Sequence, residues 1–186
     1  MRTYTIIGGV NGVGKSSLTG VLKEQRSDLG IIIDVDRMTA ERDGDALAGG
    51  RAAVERIKDC LERGVNFTQE TTLSGYKTEQ TAREAKERGY TVRLFYVALN
   101  TLQECLERIE NRVKRGGHNI RETDVNRRFA GRWEAVKKIL PYCDEAVFYD
   151  NDNGFAAVAE YRNGDLLTVG DYCPAWLSEL KQYLKP

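Results

Sequence analysis

A stretch near the amino terminus, Gly9-Val10-Asn11-Gly12-Val13-Gly14-Lys15-Ser16, constrains this chain more than any other. It fits the pattern G-x-x-x-x-G-K-[ST], which has physical meaning only between a strand and a helix. Both flanks comply: Tyr4 to Ile7 is a short apolar run, and Ser17 to Arg26 sets Leu18, Val21 and Leu22 at helical spacing. Gly9, Gly12 and Gly14 let the backbone bend so that successive N–H groups point inward, and the start of the helix adds partial positive charge there. A phosphate chain fits such a cup. Lys15 is placed to reach β- and γ-phosphates, the Ser16 hydroxyl to join the coordination shell of Mg²⁺, and Asn11, Val13 and Ser17 to complete an ATP-binding loop. A glycine-rich turn that binds nothing is the alternative, and the correct flanking strand and helix disfavour it.

At 186 residues the chain suits one domain with one full core. Lysine plus arginine balance aspartate plus glutamate at 28 each, so no overall field draws the protein to nucleic acid or to a membrane. Cys60, Cys105, Cys143 and Cys173 are far apart and form no C-x-x-C pair, which argues against a zinc site or a disulfide framework. No apolar run approaches the ~18 residues of a membrane span, and Met1 to Thr3 leads straight into the first strand. A soluble, cytoplasmic protein is the expectation.

Beyond the first helix, Gly30 to Ile33 is a continuous apolar run ending in Asp34-Val35-Asp36, the pattern of a buried parallel strand with acids at its carboxyl end. Residues 38 to 50 read as a loop with a short helix. Ala53, Val54, Ile57 and Leu61 mark a helical face that closes at Gly64. Val65 to Gln69 alternates as a third strand and runs into Glu70-Thr71-Thr72-Leu73-Ser74-Gly75. A helix over 78–88, stopped by Gly89, precedes a β-forming segment from Tyr90 to Ala98. Thr101 and Glu104 form a capping box for the next helix, and a further helical pattern runs from Val125 to Leu140. Asp144 to Tyr149 is a fifth strand, followed by a hairpin turning at Asn163-Gly164 and a short helix over 174–184. The expected fold is therefore α/β: a five-stranded parallel sheet with helices on both faces, a helical lid over about 112–128, and a C-terminal hairpin and helix over about 155–186 in the same single domain.

Several side chains at the carboxyl ends of these strands carry chemistry. Asp36 and Asp34 emerge on the edge of the phosphate loop, where a carboxylate accepts a proton from an acceptor hydroxyl or holds Mg²⁺ through water, or instead caps the next helix. Glu70 ends a strand that lies beside the loop strand in the simplest kinase-type order, as a metal-supporting carboxylate, a ligand for a substrate hydroxyl, or part of a surface loop. Between Glu107 and Arg132 lie eight basic residues, Arg108, Arg112, Lys114, Arg115, Arg121, Arg127, Arg128 and Arg132, interleaved with four acids. Two arginine-bearing helices joined by Gly116-Gly117 suit a closing lid, since arginine stabilises charge spread over a transferring phosphoryl group. Arg112, Arg115, Arg127 and Arg128 are the candidates. A solvated face laced with ion pairs competes with this reading, and poor aromatic interleaving disfavours a nucleic-acid footprint. His118 fits a hinge better than a catalyst.

Taken together, the loop with Ser17, Asp34-x-Asp36, Glu70 to Gly75, Arg112 to His118, Arg127-Arg128-Phe129 and Tyr149-Asp150-Asn151 resemble the small bacterial branch of the zeta toxin family, over residues 4 to 151. The resemblance implies a P-loop kinase fold and transfer of the γ-phosphate of ATP to a hydroxyl, in the best-known members that of UDP-N-acetylglucosamine. It implies Asp36 as the base, Glu70 and Thr72 in the acceptor pocket, Arg112 or Arg115 with Arg127 or Arg128 at the γ-phosphate, and Asp150 with Asn151 at the adenine. It also admits an antitoxin protein as a partner. The larger toxins carry a His-Pro pair soon after the base; here the sole histidine is His118.

The reading that unites these observations is a Mg²⁺-dependent ATP phosphotransferase with a small hydroxyl acceptor. A regulatory nucleotide-binding or ATPase module and a nucleoside or polynucleotide kinase are the alternatives. No Asn-Lys-x-Asp guanine signature appears.

Overall fold

The structure, a computed structural model, describes residues 2–42 and 45–185. The first strand, β1 (Thr3–Gly8), is buried along its whole length because it lies in the middle of the sheet. It leads through the glycine loop into α1 (Lys15–Gln25). The chain continues through β2 (Ile31–Asp34), α2 (Val35–Ala40), α3 (Ala46–Arg63), β3 (Phe67–Thr71), α4 (Lys77–Glu87), β4 (Thr91–Ala98), α5 (Leu102–Lys114), α6 (Glu122–Ala130), α7 (Arg132–Ile139), β5 (Glu145–Asp150), β6 (Ala156–Arg162), β7 (Asp165–Thr168) and α8 (Ala175–Leu184).

The strand order is β2-β3-β1-β4-β5-β6-β7, and the first five are parallel. The five parallel strands expected from the sequence are present, and the C-terminal hairpin continues from them. It pairs antiparallel with β5 and extends one mixed sheet to seven strands. Asn163 and Gly164 both take positive φ, 54° and 92°, which gives the tight turn the twist that flanking strands need.

Side chains that alternate along the central strands build two cores, one on each face. Tyr4, Ile6, Leu94 and Tyr96 pack with Ile57, Ala82, Val136 and Trp176 from α3, α4, α7 and α8. Ile7, Phe95 and Val97 pack on the other side with Leu18, Cys105, Ile109 and Val125 from α1, α5 and α6. Helices α5 and α6 therefore sit on the same face as α1, the helix that follows the glycine loop.

Local details differ from the sequence pattern in three places. The helix expected from Val125 to Leu140 is broken at Gly131 into α6 and α7. Val54, which falls on the apolar face by spacing, is 44% exposed. The stretch from 38 to 50 is mostly helical, ending α2 and beginning α3, with Asp43 and Gly44 outside the described residues. The capping box forms as expected: the Thr101 hydroxyl accepts from the Glu104 amide at 3.2 Å, and the Glu104 carboxylate from the Thr101 amide at 2.6 Å.

Candidate functional site

The glycine loop is held in shape as much by what it packs against as by what it could bind. Gly12 has φ of 88°, and a Cβ there would lie 2.3 Å from the Cys105 carbonyl oxygen on α5. Gly14 has φ of 99°, and a Cβ there would lie 2.4 Å from the Asn151 side chain. Only glycine satisfies both the left-handed backbone and the close approach. Val13 is buried and its carbonyl accepts from the Asn151 Nδ2 at 2.8 Å. Asn11, 3% exposed, accepts from Arg128 Nη1 at 2.6 Å.

Lys15 opens α1 and folds its ammonium back over the loop, donating to the carbonyls of Gly9 at 3.0 Å and Val10 at 3.3 Å. Burial lowers its pKa, and the nearby carboxylates of Asp36, Glu70 and Asp34 oppose that shift.

Parallel pairing sets Ile7 beside Glu70 and Glu70 beside Asp34, so three strand ends finish level. Glu70 is 6% exposed and accepts from two hydroxyls of α1, Ser16 at 2.7 Å and Thr19 at 2.6 Å. Desolvation raises its pKa although both hydrogen bonds and Lys15 pull the other way. Asp34 caps α2 by accepting from the amides of Asp36 at 3.0 Å and Arg37 at 3.2 Å. The capping role thus falls to Asp34, and Asp36 is left with an exposed carboxylate on the wall of a cavity.

That cavity, about 380 Å³, brings together Asn11, Gly12, Gly14, Lys15, Ser16, Ser17, Asp36, Glu70 and Thr72 with Arg108, Arg112 and Arg128. Arg112 is held in place by the segment joining α5 to α6, where its Nη2 donates to the His118 carbonyl at 2.9 Å. The Arg128 Nε is buried and has no hydrogen-bond partner among the described residues. A second cavity of about 670 Å³ shares Thr72 and Arg128 with the first and adds Tyr76, Arg127, Glu134 and Lys138.

Some expected site residues, Arg115, Asp150 and Arg127 among them, lie away from the first cavity. Arg115, at the end of α5, lines neither cavity and faces an outer groove with Gly116 and Gly117. Asp150 is 2% exposed, and its carboxylate is committed to the interior, accepting from Trp176 Nε1 at 2.7 Å. Any part it plays at the site is indirect, through Asn151. Arg127 is shared between an ion pair with Asp124 at 2.8 Å and the second cavity, not the first.

Sequence reasoning passed over Arg108 and Thr19. Each carried a signal: Arg108 precedes Arg112 by four positions on α5, and Thr19 follows Ser16 by three on α1, spacings that share a helix face. Lys138 and Tyr76 had none, because only the packing of α7 against α4 brings them to one cavity.

Ser16 and Glu70 offer hard oxygen donors side by side at a helix N-terminus, a donor set that fits Mg²⁺ arriving with phosphates. Among the described residues no group of three or more His, Cys, Asp or Glu could hold a metal ion alone. No helix is long and apolar enough to cross a membrane among those residues.

A sequence model of the family described as zeta toxin matches residues 48–154, more than half of the chain, with the glycine loop lying upstream of the matched span. An uncharacterized protein of Haemophilus influenzae is 35% identical over 129 residues, which is 65% of this chain and 88% of that protein. Among solved structures, one from the PezAT chromosomal toxin-antitoxin system of Streptococcus pneumoniae is similar with a TM-score of 0.65 and 18% identity, covering 99% of this chain and 84% of that one. Another, of AvrRxo1-ORF1:-ORF2 with ATP, gives a TM-score of 0.68 and 15% identity over 99% of this chain and 63% of the other. At those identities the two structures speak to the fold alone, a P-loop kinase fold. By the match of its sequence, the chain belongs to the zeta toxin family.

Proposed function

We propose that this protein is an ATP-dependent phosphotransferase that moves the γ-phosphate to a hydroxyl of a small acceptor. The observation that carries the reading is the single cavity in which Lys15, Ser16, Arg108, Arg112 and Arg128 face the carboxylates of Asp36 and Glu70. Five groups able to donate to phosphate oxygens beside an exposed carboxylate suit a reaction in which positioning and charge neutralisation do most of the work. The loop amides and Lys15 bind the triphosphate, as the similar AvrRxo1 complex is described with ATP. Ser16 and Glu70 would hold Mg²⁺, which would supply positive charge to offset that of the triphosphate.

The second cavity takes the acceptor. Thr72 and Arg128 belong to both cavities, so an acceptor held by Tyr76, Arg127 and Lys138 presents its hydroxyl at their junction. Asp36 accepts the hydroxyl proton as the oxygen forms its bond to the γ-phosphorus and the bond to ADP breaks. UDP-N-acetylglucosamine, the acceptor of the best-known family members, is the first compound to try. An antitoxin protein is a partner consistent with the toxin-antitoxin system to which the similar Streptococcus pneumoniae structure belongs.

The test is to incubate the purified protein with Mg²⁺-ATP and a panel of nucleotide sugars, nucleosides and oligonucleotides, then to search by mass spectrometry for a gain of one phosphate. A phosphorylated nucleotide sugar is the expected product. A phosphorylated oligonucleotide alone would replace the small acceptor with a polynucleotide.

A further inference from the structure

The segment after β5 is tied at both ends to parts of the chain that the family match does not include. On one side, Asp150 is fixed from the C-terminal region. Trp176 Nε1 donates to Asp150 Oδ1 at 2.7 Å, and Trp176 is itself fully buried. The Tyr172 hydroxyl at 3.2 Å and the Asp152 amide at 3.1 Å donate to Oδ2. On the other side, Asn151 reaches the glycine loop through its bond to the Val13 carbonyl, at 2.8 Å. Arg108, a wall of the first cavity, donates to the carbonyls of Asn151 at 2.6 Å and Asp152 at 3.3 Å. A buried carboxylate, an acceptor for three donors, therefore stands between α8 and the phosphate loop.

We infer that Asp150 is a positioning residue for the nucleotide: held by Trp176 and Tyr172, it sets the segment through which Asn151 and Arg108 are placed against the phosphate loop. The inference rests on the proposal that this loop binds ATP. It gives the C-terminal helix, absent from the matched family span, a part in nucleotide affinity that no direct contact with the cavity supplies. Phosphate recognition by a backbone cup tolerates displacements of only about 0.5 Å, so a small shift at Val13 or Arg108 registers as lost affinity.

Asp150→Asn exchanges one accepting oxygen for a donor and faces the Asp152 amide or the Trp176 N–H with an N–H of its own. Trp176→Phe removes the donor and keeps an aromatic ring in the core. Glu179→Gln is the control: it weakens the attachment of the same helix to Arg132 and Trp133 and leaves Asp150 alone. Titration calorimetry with Mg²⁺-ATP on the full chain, at a temperature where circular dichroism shows each variant folded, should find Kd raised about tenfold by Asp150→Asn and by Trp176→Phe, and within twofold of the parent for Glu179→Gln. The double variant should be no weaker than the weaker single one, because both break one linkage. If Asp150→Asn does not fold, the Kd of Trp176→Phe decides. Unchanged affinity in a folded Trp176→Phe protein, or an equal loss in Glu179→Gln, overturns the inference. A parent chain that binds no ATP overturns instead the reading of the loop.

Discussion

The Ser16 hydroxyl donates to the Glu70 carboxylate across 2.7 Å, joining the residue after the loop lysine to the end of the neighbouring strand. The bond exists because β1 and β3 run parallel in a register that sets Ile7 beside Glu70. Glu70 is nearly sealed from solvent, and burial makes its carboxyl resist ionising although two hydroxyls and Lys15 favour the charged form.

Glu70→Gln therefore has two expected effects. The Mg²⁺ concentration that half-saturates phosphotransfer should rise about tenfold, in line with the loss of a group that orients a metal's ligands. Stability should change its pH dependence as well. The pKa of Glu70 is raised on folding from an ordinary value of 4.5, so its contribution is fully present below that value and is lost as pH rises through the folded pKa. Urea denaturation across the acid range should show this decline in the parent chain and a flatter profile in the Gln variant.

The Asp36 carboxylate accepts no hydrogen bond among the described residues, and Asp34 caps α2 in its place. Asp36→Ala should consequently leave the melting temperature and the ATP Kd near those of the parent while slowing transfer by about 10²- to 10⁴-fold, the range of a general base. A rate within threefold of the parent would remove Asp36 from the mechanism. Separate binding and turnover assays decide the matter.

Arg112 and Arg115 are three residues apart, yet only Arg112 lines the first cavity. Arg112→Ala should lower kcat by about 10²-fold or more, comparable with removing one donor from a transition-state charge. Arg115→Ala, at an exposed helix end, should stay within about threefold. Steady-state kinetics on the two variants separates them, and equal losses would contradict the placement of Arg112 alone at the transfer site.

Lys15 is stabilised in its neutral form by burial, with its pKa held below the ordinary 10.5. The folded chain thus binds fewer protons than the unfolded one in the window between the lowered value and 10.5, and stability rises with pH through it. Lys15→Met should abolish that rise and increase the urea midpoint at neutral pH, even as it weakens nucleotide binding. Equilibrium unfolding at several alkaline pH values is the measurement.

What could be read directly from the chain was local chemistry. The strand, loop and helix around Lys15 lie within one contiguous stretch, the capping box spans Thr101 to Glu104, and Asn163-Gly164 carries its own turn geometry. What could not be read depends on partners far along the chain. The interior place of Asp150 is set by Trp176, 26 residues later, and the Thr19–Glu70 bond spans 51. The union of the hairpin with the main sheet follows from an antiparallel pairing to β5 that alternation within β6 does not encode. Gly131 breaks a helical pattern whose apolar spacing continues across it, so periodicity alone joins α6 to α7. Asp34 and Asp36 are alike in composition and two residues apart; only the position of the first helical turn assigns the cap to one and the cavity to the other.

The central claim is that the glycine loop grips a nucleoside triphosphate through its amides and Lys15. Its most direct test is calorimetric titration of Mg²⁺-ATP into the intact chain and into Lys15→Met at one pH and ionic strength. The account predicts saturable one-to-one binding by the parent and affinity at least about tenfold weaker in the variant, the loss of one charge-assisted contact to phosphate. Equal affinity in the two proteins, or no binding by the parent at millimolar nucleotide, would contradict it.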